Sequence, residues 1–397
     1  MNTHNTTEQF TFTTLGIVEP LLDSLTRLGL KIPTPIQHEV IPVALTGQDV
    51  VGIAQTGTGK TLAFGIPMIQ RLAATKGVGM IVLPTRELAL QVDESLRRVG
   101  QHLGMRTAVL IGGAAMGPQI QALRRNPHII IATPGRLIDH IQQKTIQTNH
   151  VSIIVLDEAD HMFDMGFAPQ VEKILDALPR ARQTMLFSAT MPHAIMNLAT
   201  AHMKSPIRVE VAPSGTPPEK VEQELYILHK EDKTKLLKKL LEYERVSTIV
   251  FTRTKHGASK LVKIVRAMGY TAAEIHGNRS LPQRKDALDG FKSGKYRVLV
   301  ATDVAARGID VQGVGLVINY DVPENPEDYV HRIGRTARAG ATGHAITFVT
   351  QEQRNDLRDI ERLINQKLTV VRDEELSQEF SPTRKVISAG YRHRRFH

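Results

Sequence analysis

Two successive α/β halves, each a mostly parallel sheet flanked by helices, joined by a short linker, are the architecture this sequence predicts. Three observations lead there. Short runs of Val, Ile and Leu alternate with segments of helical period along most of the 397 residues. The runs are continuously apolar, as in strands buried on both faces. A chain of this length exceeds one ordinary core, and 41% hydrophobic residues suffice to fill two.

The first half offers six strand candidates: DVVGIAQ (49–55), GMIVLPT (79–85), TAVLIGG (107–113), HIIIATP (128–134), SIIVLDE (152–158) and TMLFSAT (184–190). The second offers five: STIVFTRT (247–254), TAAEIHG (271–277), YRVLVATD (296–303), GLVINYD (315–321) and HAITFVT (344–350). Helical-period stretches of ten or more residues separate them, which suits parallel pairing. Between the halves, VAPSGTPPEKV (211–221) holds three prolines and no periodicity, which marks the linker. The expected division is a first domain at 1–210, the linker at 211–221, a second domain at 222–378 and a disordered basic tail at 379–397. No short-period repeat occurs, but the halves share one grammar of strand and helix, as two copies of one fold would.

The chain has no cysteine, which excludes disulfides, thiolate metal sites and Cys nucleophiles. Its first residues, MNTHNTTEQF, lack a charged region followed by an apolar one, and no run approaches the roughly 18 apolar residues of a membrane span. A soluble cytoplasmic protein without membrane contact is expected. Lys and Arg number 50 against 40 Asp and Glu, a net charge of +10, and five of the basic residues sit in RKVISAGYRHRRFH (384–397) without an acid. That tail points to a polyanion partner; a merely solvated tail is the alternative.

In such sheets ligands collect where loops leave the carboxyl ends of the strands and helix N-termini point inward. AQTGTGKT (54–61) follows DVVGI and opens an apolar helical run. Its glycines let backbone N–H groups turn toward a phosphate, Lys60 can neutralise β- and γ-oxygens, and the Thr61 hydroxyl suits Mg²⁺. The general pattern has glycine where this chain has Ala54. Asp157 ends its strand where a second Mg²⁺ contact is needed, and Glu158 can orient or deprotonate a water. Asp160 has no equally clear chemistry. A strand ending in acids is, by itself, also an ordinary solvated terminus; with the Gly-Lys-Thr loop it reads as a nucleoside triphosphatase site.

Further segments follow in order: GLKIPTPIQ, PTRELA, GG, TPGR, DEAD, SAT, VFTRT, ATDVAARGID and HRIGRTAR. With the loop, this set resembles the DEAD-box ATP-dependent RNA helicases from Phe12 to about Val349, and is most similar to the bacterial RhlE type. The resemblance implies two tandem RecA-like domains, ATP and Mg²⁺ as cofactors, and RNA as partner, bound without sequence preference as single strands and short duplexes. It implies that Phe12 stacks on adenine and that Gln37 reads its edge, an amide offering donor and acceptor together. The other reading of Phe12 is a staple for the first helix. Thr56, Gly57, Thr58, Gly59, Lys60, Thr61 and Asp310 would hold the nucleotide, and Thr61 and Asp157 the metal. Lys60, Asp157, Glu158, Arg335 and Arg338 form the implied catalytic set. Arg335 and Arg338, three apart, are expected on one helical face. Ser188, Thr190 and His331 would couple hydrolysis to strand separation.

RNA contacts fall, by the same resemblance, on Thr85, Arg86, Gly113, Thr133 and Arg136, and in the second half on Arg253, Arg284, Thr302 and Gly308. Hydroxyls, guanidiniums and bare backbone suit phosphate and 2′-OH groups rather than base edges. Two positions depart from the family pattern. NRSLPQR aligns Leu281 with a customary Gln while keeping Arg284, and Ala337 stands where Gly is more frequent. The implied mechanism is an ATP-gated clamp whose closure bends one strand and melts a short duplex, and which hydrolysis reopens. A DNA-directed helicase and a non-catalytic RNA clamp are the rival readings. Ribosomal precursors, RNA-decay machinery and cold adaptation are the open cellular settings.

The tail generates a test. Deleting residues from Arg384 onward is expected to weaken RNA binding and to flatten the log–log salt dependence by up to roughly 3 to 4, because as many as five phosphate contacts vanish. Filter binding across a salt series measures both; an unchanged slope identifies the tail as solvated only.

Overall fold

The computed structural model describes residues 11–55, 57–211, 221–306, 311, 314–336 and 343–371. Thr56, Gly308, Asp310, Ala337 and Arg338 lie outside these, as do residues 212–220 of the expected linker and the whole basic tail.

The first half forms β1 (Val50–Ile53), β2 (Val78–Val82), β3 (Thr107–Leu110), β4 (Ile129–Ala132), β5 (Val151–Leu156), β6 (Gln183–Ser188) and β7 (Ile207–Glu210), in the spatial order β3-β4-β2-β5-β6-β1-β7. The second forms β8 (Val221–Ile227), β9 (Thr248–Phe251), β10 (Ala272–Ile275), β11 (Val298–Ala301), β12 (Leu316–Asn319), β13 (Gly343–Val349) and β14 (Thr369–Val370), in the order β10-β11-β9-β12-β13-β8-β14. Counted from its own first strand, the second order is that of the first: third, fourth, second, fifth, sixth, first, seventh. The halves are two copies of one fold, and every pairing in both sheets is parallel.

Why the strand runs are continuously apolar is visible in the packing. Alternate residues of one strand belong to different cores: Ile129 and Ile131 of β4 pack on one face with Val155 and Phe187, whereas Ile130 packs on the other with Ile154 and Leu186. The second sheet repeats the pattern, with Ile249 and Phe251 on one face and Val250 on the other. Helices cover both faces, so both sides of a central strand are mostly apolar, and a polar residue such as Asn319 of β12 is buried with its partners Thr347 and Arg332.

Three strands escape the sequence reading. β8 alternates buried Val221, Gln223 and Leu225 with exposed Glu222, and so lacks a continuous apolar run. Val221, expected in the linker, is already its first residue. β7 is an edge strand exposed at Ile207, Arg208 and Glu210, and β14 is a two-residue edge strand. Among the described residues no helix is long and apolar enough to cross a membrane.

The parallel sheet sends the loops that follow β1, β5 and β6 to one edge, and these three strands are neighbours. At the opposite edge Asp49 locks the same region. Its Oδ1 accepts from the Thr184 N–H at 2.7 Å and its Oδ2 from the Lys204 N–H at 2.7 Å, tying β1 to β6 and to the approach of β7. Asp49→Ala would strand both donors. The expected cost is about 2 to 4 kcal/mol of stability, read from a urea midpoint; an unchanged midpoint would show that water replaces the carboxylate freely.

Candidate active site

The helix Lys60–Ala74 begins directly after Gly59, whose φ of 95° is a left-handed conformation that favours glycine. A Cβ there would lie 2.4 Å from the Gln37 amide nitrogen. Gly57 is also left-handed, and the Thr58 N–H donates back to the Gln55 carbonyl at 3.4 Å, so the chain wraps tightly before the helix. Lys60, at the first helical position, is buried; its Nζ donates to Glu158 Oε1 at 3.0 Å and lies 3.9 Å from Asp157 Oδ1. Thr61 is the second residue of that helix, half-buried.

The acids have divided their protons. Burial pushes the Asp157 carboxyl up to about 7 against the pull of Lys60, and the neighbouring Glu158 adds to the rise. Burial would raise Glu158 too, but Lys60, His331 and His161, with the Lys60 hydrogen bond, hold it well below the usual carboxylate range. Burial likewise opposes the charge on Lys60, and Glu158, Asp157 and Asp160 outweigh it, leaving the lysine pKa raised. Glu158 thus stays ionised. It also sits at φ 55° and ψ 50°, a left-handed conformation rare for a side chain other than Asn, Asp or Gly, where its N–H donates to Asp157 Oδ1 at 2.9 Å.

Asp160, whose chemistry the sequence left open, is the hub of the site and is buried to 2% exposure. Its Oδ2 accepts from the Ala189 and Thr190 N–H groups, both at 3.0 Å, and from the Thr190 hydroxyl at 3.3 Å. Its own N–H donates to Ser188 Oγ at 3.2 Å. The loop after β5 is thereby bolted to the end of β6. The single hydroxyl proton of Thr190 is shared with Glu327 Oε2 of the second half, also at 3.3 Å, and Glu327 lies on the helix Pro326–Ile333 with His331.

Arg335 corrects one expectation. The helix ends at Ile333 and Gly334 caps it, so Arg335 lies in the following turn and not on a helical face; it is buried, and its Nε donates to the His331 carbonyl at 3.2 Å. Arg332, which the sequence did not single out, is spent on the fold. Its Nη2 binds Asp303 at 2.7 Å, its Nη1 reaches Asn319 Oδ1 at 3.2 Å, and its guanidinium covers the Phe251 ring.

Phe12 is 4% exposed and packs in the first core with Leu15 and Ile17. Gln37 is buried too: its Oε1 accepts from the Thr34 N–H at 2.9 Å and its Nε2 donates to the Gly59 carbonyl at 3.1 Å. Each bond uses one of two capacities, so one lone pair and one N–H remain for an adenine edge.

The residues assigned to RNA stand at the other strand ends. Thr85 caps the helix Arg86–Gly100 by accepting from the Leu88 N–H at 3.3 Å. Arg86 lies under Gly113, where a Cβ would meet its Nη1 at 2.1 Å; Gly113, at φ 72°, makes room for the guanidinium. Thr133 precedes the helix Pro134–Gln142, and Arg136 donates to the Ala114 carbonyl at 3.0 Å. In the second half Arg253 binds the Val322 carbonyl at 3.3 Å and neighbours Glu324 and Asp356, and Thr302 follows β11. Arg284 reaches across to the first half, donating to Glu87 Oε2 at 2.8 Å.

Hard oxygen donors, the Thr61 hydroxyl and the Asp157 carboxylate, fit Mg²⁺, and the excess of three acids over one lysine supplies the negative field it needs. Among the described residues no group of three or more His, Cys, Asp or Glu could hold a metal ion.

A glycine-rich loop closing on a strand-end acid pair in the first of two RecA-like halves that share one sheet order defines a nucleoside triphosphatase of the helicase class. A DEAD/DEAH box helicase family model matches residues 34–198 and a helicase conserved C-terminal domain matches 232–340. The DEAD-box ATP-dependent RNA helicase CshA of Geobacillus kaustophilus is 44% identical over 361 residues, covering 90% of this chain and 77% of that protein. CshA of Bacillus subtilis is 43% identical over 371 residues, covering 93% and 75%. The solved structure of S. cerevisiae Dbp5 bound to RNA and ADP BeF3 superposes with a TM-score of 0.82 at 30% identity, over 91% of this chain and 95% of that chain. The chain belongs to the DEAD-box ATP-dependent RNA helicases. These two relatives carry the CshA name and not that of the RhlE type.

Asp160→Asn must turn an amide N–H₂ toward donors that now share a carboxylate. Nucleotide binding should survive, while RNA-stimulated ATP hydrolysis falls about 10- to 100-fold as buried donors lose their acceptor. Fluorescent-nucleotide titration beside a phosphate-release assay separates the two; parallel loss of both would make Asp160 a mere support of the loop.

Proposed function

We propose that the protein is an RNA-dependent ATPase that clamps RNA across both halves, and locally unwinds short duplexes or remodels RNA–protein complexes as ATP is hydrolysed. The observation that supports it best is the meeting of the halves at the acids, where Thr190 binds Glu327 at 3.3 Å and Glu158 feels the charge of His331. A site shared in this way is complete when the cleft is shut.

In this reading Gln37 selects adenine, while Thr56, Gly57, Thr58 and Gly59 present backbone N–H groups to the phosphates and Asp310 adds a contact from the second half. Lys60 is now neutralised by Glu158. A triphosphate offers the lysine a stronger partner, and Glu158 is then released to accept a proton from the attacking water. Thr61 and Asp157 hold Mg²⁺, which when bound offsets charge on the β- and γ-phosphate oxygens. Arg335 and Arg338 stabilise charge on the transferred phosphoryl group. Ser188, Thr190 and His331 pass the state of the nucleotide to the RNA face, where Thr85, Arg86, Gly113, Thr133, Arg136, Arg253, Arg284, Thr302 and Gly308 hold backbone phosphates and 2′-OH groups. A cytoplasmic setting fits the absence of cysteine.

Glu158→Gln keeps the shape of the side chain and loses the basic oxygen. ATP binding should stay near the parent's, hydrolysis should fall about 10²- to 10⁴-fold, and RNA should be held longer in ATP. Single-turnover phosphate release with RNA or with DNA of the same sequence is the direct measurement. Turnover equal to the parent's removes Glu158 from its role, and equal stimulation by DNA favours a DNA-directed enzyme.

A further inference from the structure

Leu281 is the first residue of the helix Leu281–Lys292 in the second half. Its side chain nevertheless packs against the apolar core of the first half. One turn later Arg284 donates to Glu87 on the helix Arg86–Gly100 of the first half, so this single helical turn bridges the cleft. We propose that Leu281 is a positioning residue, an apolar latch that holds the two halves together before RNA arrives. The proposal rests on the clamp reading above.

Of the two bridging contacts, the apolar one supplies the net attraction. The Glu87–Arg284 pair is incomplete: Arg284 Nε and Glu87 Oε1 are both buried without a hydrogen-bond partner. Arg86 lies near enough for its charge to oppose that of Arg284. A buried pair joined by one hydrogen bond recovers little beyond its desolvation cost, whereas burying Leu281 meets no such opposing term. The latch is also preorganised. Ser280 and Gln283 form a reciprocal capping box and Pro282 stiffens the same turn, so Leu281 is presented with little entropy left to lose.

The arrangement has a functional consequence. Arg284 serves Glu87 in the structure and is also a group suited to an RNA phosphate, and it leaves the first partner to reach the second. Leu281, whose apolar side chain makes no ion pair, keeps the halves in contact during that exchange. The chain therefore populates a closed form, and hydrolyses some ATP, without RNA.

Because the chain has no cysteine, Glu94→Cys and Lys295→Cys, on exposed surfaces of the two halves, allow specific attachment of a fluorophore pair. Energy transfer is measured with AMP-PNP, with and without polyuridylate, alongside RNA-free and RNA-saturated ATP hydrolysis. Leu281→Gln should lower the RNA-free closed population and RNA-free hydrolysis by about five- to tenfold, and saturating RNA should restore both to the parent's level. Leu281→Met, still apolar, should match the parent throughout. The latch is overturned if Leu281→Gln matches the parent without RNA, or if the parent shows no RNA-free closed population while RNA closes it normally. Failure of RNA to close the parent overturns the clamp reading itself.

Discussion

The carboxylate of Asp160 is the joint on which the rest of the site depends. Buried among apolar strand ends, it accepts three hydrogen bonds from the Ala189–Thr190 segment, and no single bond would repay its desolvation. It makes the loop after β5 and the end of β6 one rigid body. Whatever moves Asp157 and Glu158 when nucleotide binds must also move Thr190. Thr190 touches Glu327, so a change at the phosphates reaches the second half through two side chains.

Charge balance sets the chemistry beside that joint. Three acids and one lysine share a space without bulk water, and the geometry separates them unequally. Glu158 takes the lysine at 3.0 Å and remains ionised, while Asp157, at 3.9 Å, is left with excess negative neighbours. A cation is the natural complement of Asp157, which lacks a close positive partner, whereas Glu158 already has one in Lys60. The left-handed backbone at Glu158 turns the side chain toward Lys60; a strained residue is held there because the flanking strand and helix leave no alternative.

The duplication shows how little of a fold is the site. Lys233 opens the helix Lys233–Tyr243 after β8, just as Lys60 opens its helix after β1, and it too reaches an acid beyond the fifth strand, Asp321 at 3.0 Å. Yet the five residues between Ile227 and Lys233 contain no glycine. Without left-handed turns the backbone N–H groups have no way to face one phosphate, and Lys233 Nζ donates instead to the Tyr320 carbonyl at 2.8 Å. One copy became the nucleotide loop; the other became structural support and a source of groups that complete the first.

Local chemistry made most of this legible in sequence. Predominantly apolar runs identify the eleven buried strands read from the sequence, because burial on both faces disfavours polar residues without partners, and the Gly-Lys-Thr loop and DEAD acids announce themselves because phosphate chemistry admits few substitutes. Edge strands β7 and β14 escaped, since solvent relaxes the constraint that makes a strand recognisable. What only the tertiary structure decided are properties of residues far apart in the chain: that Asp160 serves Thr190, that Phe12 goes to the core, that Arg335 lies beyond its helix, and that Leu281 crosses to the first half. No local pattern records them, because each side chain's environment comes from strands and helices brought to it by the fold.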